Sequence, residues 1–382
     1  MARPQRTLST EALAAACPLP RESYTDPRVF EAEKEAIFFK QWQFVGHTSE
    51  FKEVGSYVTR QIVDQSVVVT RAEDGQLHGF YNVCPHRGHE LLTGCGSVNQ
   101  IVCPYHSWTF RPDGSLRVIP GERSVCAIDK QRFSLSRVRV EVFCHFVFVN
   151  LDPQASPLAS QAGDLAALMQ EIFPHLEELE PFELHETEMR CNWKVNVDNF
   201  QECYHCSKVH QTFCSLIDYS SYRTRSQGIF TRHHAPITRQ RSTAAIRIAA
   251  DVPPKGHEFI YLWPNMTFNL YAGSAVVGMM NFEPRAVDRT VMWIKDYSVR
   301  RFQIDEEYVK AYQKAGLTTA SEDIAICESV QRGMSSRGYV ARSGSYVHDA
   351  DRTQLSEHAV EEFHRRVRLA LGANLVPGGN DD

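Results

Sequence analysis

Cys84-Pro85-His86 and, sixteen residues on, Cys103-Pro104-Tyr105-His106-Ser107-Trp108-Thr109-Phe110 form the stretch on which the reading of this chain turns. Each motif sets one thiol and one imidazole within a tight loop between β-like segments. Two cysteines and two histidines delivered as mixed pairs suit a [2Fe–2S] cluster in which one iron takes both sulfurs and the other both ring nitrogens. Tetrahedral zinc uses the same donors. Zinc fingers, however, group cysteine with cysteine and histidine with histidine, whereas Cys84/His86 and Cys103/His106 are each mixed. An accidental grouping needs four coincidences. Gly88, Gly94 and Gly96 lie between the motifs, where bare backbone can approach a cluster closely.

Outward from this stretch, Trp42 to about Leu151 reads as all-β. Runs such as Ser66–Thr70 and Val138–Asn150 alternate with turns at Glu73-Asp74-Gly75 and Pro112-Asp113-Gly114. Ahead of it, Pro18 and Pro20 precede an acidic and apolar helical stretch, Val29–Phe39. Behind it, Leu165–Leu179 has the period of an amphipathic helix. The second half has strand-like segments at Met189–Val197, Phe259–Trp263, Thr267–Tyr271, Ala275–Phe282 and Val291–Tyr297. Helical patterns follow at Phe302–Gly316, Ser321–Gly333 and Ser356–Leu371. An antiparallel sheet with helices packed on it is the natural arrangement, so the fold class is α+β. The expected organisation is an arm and helix over 1–40, an all-β domain over 41–155, a second domain over 156–372 and a flexible tail over 373–382.

The 382 residues are 43% hydrophobic and 23% charged, which suits two packed domains. A net charge of -5 argues against a general nucleic-acid binder. The apolar stretch Ala12–Cys17 is too short for a signal-peptide core. The run Val140–Leu151 is interrupted by Glu141, His145 and Asn150, so no membrane segment is expected and the protein is read as cytoplasmic. Eleven cysteines in a reducing compartment point to metal ligands and not to a disulfide framework.

A second constellation is Glu202-Cys203-Tyr204-His205-Cys206-Ser207-Lys208-Val209-His210, placed after Asn192-Trp193-Lys194. Two histidines and one carboxylate make the facial triad of Fe(II) oxygenases, with positions left open for O2 and substrate. His205 and His210 are five apart, slightly more than a helical turn, so a helix end or distorted turn would aim both inward. The carboxylate must come from far along the chain, and spacing alone leaves Glu322, Asp323 and Glu328 open.

The run Cys84–Phe110 resembles the Rieske domain of ring-hydroxylating and related Rieske oxygenases, and Trp42-Gln43-Phe44-Val45-Gly46-His47 looks like the start of that domain. The resemblance covers nearly the whole chain. It implies an N-terminal Rieske domain followed by a helix-grip catalytic domain. Cys84, His86, Cys103 and His106 would hold the cluster, and His205, His210 and Asp323 a mononuclear Fe(II), with Glu322 as a solvent-facing neighbour. Glu202 falls where the family has the acid that links this site to a Rieske histidine of the neighbouring subunit, usually Asp in the ring dioxygenases. A homotrimer follows from that implication. The chain has no GxGxxG-type loop, so electrons are expected from a separate NAD(P)H-dependent flavin/iron–sulfur reductase.

The segments Asp198–Cys206, Trp263-Pro264-Asn265 and Glu322–Gly333 look closest to the carnitine, choline and betaine oxygenases. The expected reaction is hydroxylation of a quaternary ammonium compound with C–N cleavage or N-demethylation. A cation without N–H donors binds best to ring faces, and Tyr204, Phe213, Tyr261, Trp263, Phe268 and Tyr271 are the candidate cage. The alternatives are an aromatic-ring hydroxylating α subunit and a plain Rieske ferredoxin, which would need only the first third of the chain.

Overall fold

The computed structural model describes residues 18–122, 128–237, 242–243, 246–247, 253–302, 306–342 and 344–372. The stretch Ala12–Cys17 and the tail from residue 373 lie outside them. The described residues divide into two compact units, one of Phe38–Glu183 with Asp296–Arg301 and one of the remainder.

The first unit is built on a seven-stranded sheet. Its strand order is Gln43–His47, Phe146–Asn150, Arg137–Phe143, Leu77–Tyr81, Gln65–Arg71, Ser56–Ile62, Cys95–Ser97. Val67, Val68 and Val69 are all fully buried, so this central strand is covered on both faces. The two expected turns form as near copies. In each, an Asp carboxylate accepts the N–H two residues on (Asp74 from Gln76, Asp113 from Ser115), and the intervening glycine has positive φ. At Gly114 a Cβ would lie 2.3 Å from the Phe80 ring, so only glycine fits. The run Val138–Asn150 is a hairpin, Arg137–Phe143 with Phe146–Asn150, turning on Cys144 and His145 at φ 50° and 65°. Two positive φ values at the turn match the right-handed strand twist, here without the usual Asn-Gly signal. The helix predicted over Leu165–Leu179 stops at Ile172 ahead of Pro174 and resumes as one turn at Leu176–Glu178.

The second unit carries the other seven-stranded sheet. Its order is Leu179–Met189, Arg289–Val299, Val276–Ala286, Met266–Leu270, His257–Leu262, Phe230–Ala235, Arg223–Gln227. Apart from the first strand, neighbours in the sheet are neighbours in this series of strands, an antiparallel meander. Helices Trp193–Phe200 and His358–Leu371 pack on one face, where Trp193, Trp263 and Phe363 meet edge-on and tilted. This is the expected α+β architecture.

Three expectations need correction. Met189–Val197 is not a strand: the strand ends at Met189, the Asn192 side chain caps by accepting the Lys194 N–H, and Trp193–Phe200 is helical. The two helices expected over 302–333 are one helix, Glu306–Met334. Its middle, Leu317-Thr318-Thr319-Ala320, has no proline, and the Thr318 hydroxyl bonds back to the Lys314 carbonyl. One disulfide does occur, between Cys203 and Cys206, while Cys84 and Cys103 are free. Among the described residues, no helix is long and apolar enough to cross a membrane.

Two candidate metal centres

The loops after Cys84 and Cys103 have different sequences and the same conformation. Cys84 N–H donates to the His89 carbonyl and Cys103 N–H to the Trp108 carbonyl, each at 2.8 Å. Gly88 N–H closes on the Cys84 carbonyl and Ser107 N–H on the Cys103 carbonyl. The fourth residue after each cysteine takes positive φ, 74° at Gly88 and 59° at Ser107. Both loops anchor in one core through Cys84, Leu91, Ile101, Cys103, Trp108 and Phe110. The two cysteines are 2% exposed, and the rings of His86 and His106 stand 4.7 Å apart. His86 stacks on Trp108, and Tyr105 leans over His106.

The donor set fits a cluster on an observation independent of the motif. His106 Nδ1 is buried and has no hydrogen-bond partner. An orphaned buried nitrogen is unfavourable unless something binds it. Burial and the neighbouring His86 and Arg87 also lower the pKa of His106, keeping the imidazole in its neutral, ligating form. Burial and the proximity of Cys103 raise the Cys84 thiol.

The second centre begins where the Trp193–Phe200 helix ends. The chain turns through Glu202, makes one helical turn over Cys206–Val209, and starts another at Gln211. His205 and His210 flank that single turn, so both rings point to one side; their ring centroids are 5.1 Å apart. The long helix is fixed against this segment by three contacts. Glu328 accepts the Arg190 N–H, Gln331 accepts the Asn192 N–H, and the Cys327 sulfur reaches the Val195 carbonyl at 3.9 Å. That register brings Asp323 to the histidines. His210 Nε2 lies 2.8 Å from Asp323 Oδ1 and 3.1 Å from His205 Nε2, and His205 Nε2 lies 3.5 Å from Asp323 Oδ1. The three ligand atoms all fall within 4.8 Å of one another.

The electrostatics favour positive charge there. Burial would lower His205, but Asp323 and Glu202 outweigh it and hold its pKa at about 9. His210 is likewise raised by Asp323 and Glu322 against its burial. Burial pushes Asp323 up, and the two histidines more than reverse it. Two imidazoles and a carboxylate converging in such a field fit a divalent cation of intermediate softness.

Of the carboxylates left open by spacing, Asp323 converges with the histidines, while Glu328 caps a backbone N–H elsewhere. Glu322 is not merely a solvent-facing neighbour, because its carboxylate lies 2.7 Å from His210 Nδ1. Glu202 accepts the His205 N–H at 3.1 Å and bonds His205 Nδ1 through its other oxygen. Asn199, which the sequence reading passed over, places its amide nitrogen 3.4 Å from His205 Nε2.

The six candidate cage residues separate. Phe213 stands 6.4 Å from His210 between ring centroids and 5.5 Å from Phe259, which in turn is 5.3 Å from Tyr271. These three rings form a file leading away from His210. Tyr261 and Trp263 pack instead on Phe363, and the Tyr261 hydroxyl donates to the Pro264 carbonyl. Phe268 pairs with Ile260 and so lies on the opposite sheet face from Phe259 and Tyr261. Tyr204 is 49% exposed. Phe259 was missed, because nothing local in His257–Leu262, buried along its whole length, sets it apart from its neighbours.

Residues 41–135 match the Rieske [2Fe-2S] domain and residues 176–373 the ring hydroxylating alpha subunit (catalytic domain). The chain is 35% identical to a carnitine monooxygenase oxygenase subunit of Acinetobacter pittii over 352 residues, 91% of this chain and 93% of the relative. A solved quaternary ammonium Rieske monooxygenase, described for carnitine oxidation by gut microbiota and inter-subunit electron transfer, is similar at a TM-score of 0.85. It shares 32% identity over 96% of this chain and 99% of that one. Naphthalene 1,2-dioxygenase from a Rhodococcus species, at 20% identity and a TM-score of 0.79 over 96% of this chain and all of that one, shares the fold. With both domains and most of its length matched, the chain belongs to the Rieske oxygenases, oxidoreductases that pair a Rieske [2Fe–2S] cluster with a mononuclear iron and O2.

Proposed function

We propose that this chain is the oxygenase component of a two-component monooxygenase that hydroxylates a quaternary ammonium compound of the carnitine, betaine or choline kind. The observation that carries the substrate class is the aromatic file Phe213–Phe259–Tyr271 leading from His210. A trimethylammonium head has no N–H to donate, so ring faces are its best partners. The carboxylates of Glu202, Glu322 and Asp323 add a field of matching sign. The relatives named for carnitine support the same class.

In this reading Cys84, Cys103, His86 and His106 hold the cluster, and His205, His210 and Asp323 hold Fe(II). The bound metals supply single electrons and activate O2 for insertion into a C–H bond. The balance is R–H, O2, two electrons and two protons giving R–OH and water. A hydroxyl on a carbon attached to the cationic nitrogen makes that C–N bond labile, which releases a tertiary amine or removes a methyl group. Phe213, Phe259 and Tyr271 seat the cation and exclude water beside the open side of the site. Glu202 orients His205 by taking its Nδ1–H, and from a rim position it would meet a Rieske histidine of a neighbouring subunit.

That last role requires a closed homotrimer, supported by the inter-subunit transfer described for the solved relative. A separate NAD(P)H-dependent flavin reductase supplies the electrons, the working location is the cytoplasm, and the domains divide at 41–155 and 156–372. Oxygen uptake and product formation with a surrogate reductase, measured over quaternary amines and aromatic acids, test the reading. Coupled product from a trimethylammonium compound is expected. Coupled hydroxylation of the aromatic acids alone would replace it with the ring-hydroxylating alternative.

A further inference from the structure

Glu322 and Asp323 are adjacent on the Glu306–Met334 helix and leave its axis about 100° apart. They embrace one imidazole. Asp323 Oδ1 lies 2.8 Å from His210 Nε2, and Glu322 Oε2 lies 2.7 Å from His210 Nδ1. His205 has a parallel arrangement, with Asp323 on its Nε2 side and Glu202 on Nδ1. The two outer carboxylates differ in origin. Glu202 belongs to the same turn as the histidine it orients, whereas Glu322 reaches His210 from a helix 112 residues further along the chain.

We propose that Glu322 is a positioning residue of the mononuclear centre. By accepting the Nδ1–H of His210 it fixes the tautomer that presents Nε2, sets the ring plane, and raises the basicity of that nitrogen. The inference rests on the assignment of His205, His210 and Asp323 as the metal ligands. A ligating histidine whose second nitrogen is held by a carboxylate is oriented before metal arrives, and loss of such a partner typically weakens metal binding roughly 10–100-fold. Glu322 also couples the ligand set. The helix that delivers Asp323 cannot shift without turning the His210 ring, so the two ligands move together. The Glu322 side chain is 34% exposed but that of His210 only 4%, so removing Glu322 leaves a buried Nδ1–H without its acceptor, and that local loss is what the test reads.

The test uses purified full-length protein with its cluster intact. Anaerobic equilibrium dialysis gives the Fe(II) dissociation constant of the mononuclear site, and near-infrared magnetic circular dichroism reads the ferrous ligand field. Glu322→Leu should weaken Fe(II) binding roughly 10–100-fold and alter the ligand-field bands, while the visible spectrum of the cluster stays unchanged. Glu322→Gln keeps an acceptor oxygen without the charge and should fall between wild type and Glu322→Leu. Wild-type affinity and bands in both variants would overturn the proposal. If the leucine variant lost its cluster spectrum, the glutamine variant would decide by the same two readouts. Asp323→Ala separates the levels. Loss of iron there with wild-type behaviour at 322 removes only the role of Glu322, whereas retained iron in Asp323→Ala removes the ligand assignment itself.

Discussion

Glu202 combines two properties that rarely meet in one side chain. It is mostly buried beside His205, whose ring it orients, yet its side chain keeps 14% of its surface exposed. If it orients His205 and links to a neighbouring cluster, its charge matters more than its volume. Glu202→Gln, loaded at saturating Fe(II) to offset the weaker binding that follows when His205 loses its charged partner, should slow reoxidation of the pre-reduced cluster at least ~10-fold on mixing with substrate and O2, as seen by stopped-flow absorbance. Glu202→Asp should recover part of that rate. Unchanged reoxidation in Glu202→Gln would route the electrons elsewhere. His205 and His210 were legible in sequence because they flank one turn and their spacing is local, whereas Glu202 came from the resemblance to the family. Phe259 and the partnership of Glu322 with His210 were not, because each depends on where a distant strand or helix lands, while Asn199, only six residues before His205, depends on how the Trp193–Phe200 helix ends.

Elements were legible where their signals were covalent or steric. The Cys-Pro-His and Cys-Pro-Tyr-His loops, the Asp-Gly turns and the alternating strands of the sheets all follow from local chemistry. The Trp193–Phe200 helix was hidden because Trp193, Val195 and Val197 alternate as a strand would, and only the Asn192 cap distinguishes the two readings. Asn192 does more than cap. Its N–H meets Gln331 and its amide reaches the Val287 carbonyl, so it ties the helix start to the long helix and the sheet. Asn192→Ala should therefore cost more than a lone cap, about 1–2 kcal/mol, read as a lower denaturant midpoint. It should also loosen the register that brings Asp323 to His210. A midpoint within error of wild type would mean the helix is held by packing alone.

For the molecule as a whole, stability should depend on a few buried charges and on pH. Lys194 and Glu33 pair with both side chains fully buried, and Glu33 also accepts the Trp193 indole N–H. Burial lowers Lys194, with Glu33 opposing. Glu33→Ala strands that ammonium and should cost about 3–5 kcal/mol in equilibrium unfolding, against a contrary outcome of near-wild-type stability. Burial also depresses His233 to about 3 and His257 to about 4, so both are neutral when folded. The unfolded chain takes up their protons below about 6.5. The contribution of these two histidines is therefore full above pH 6.5 and falls as pH drops from there toward 4, by about 1.4 kcal/mol per pH unit for each. Thermal unfolding across that window, with His257→Gln flattening the slope, checks it; an unchanged slope in that variant would exclude His257 as a source.

The central claim is that the cluster, the mononuclear iron and the aromatic file act as one monooxygenase on a quaternary ammonium substrate. A single turnover tests it without any reductase. The protein is reduced with dithionite, freed of excess reductant, and mixed in separate reactions with L-carnitine, betaine or choline and 18O2. Labelled product, formed in proportion to the cluster oxidised and absent in His205→Ala, is the predicted result. Full reoxidation of the cluster in the wild-type protein with no oxidised carnitine, betaine or choline product would contradict it.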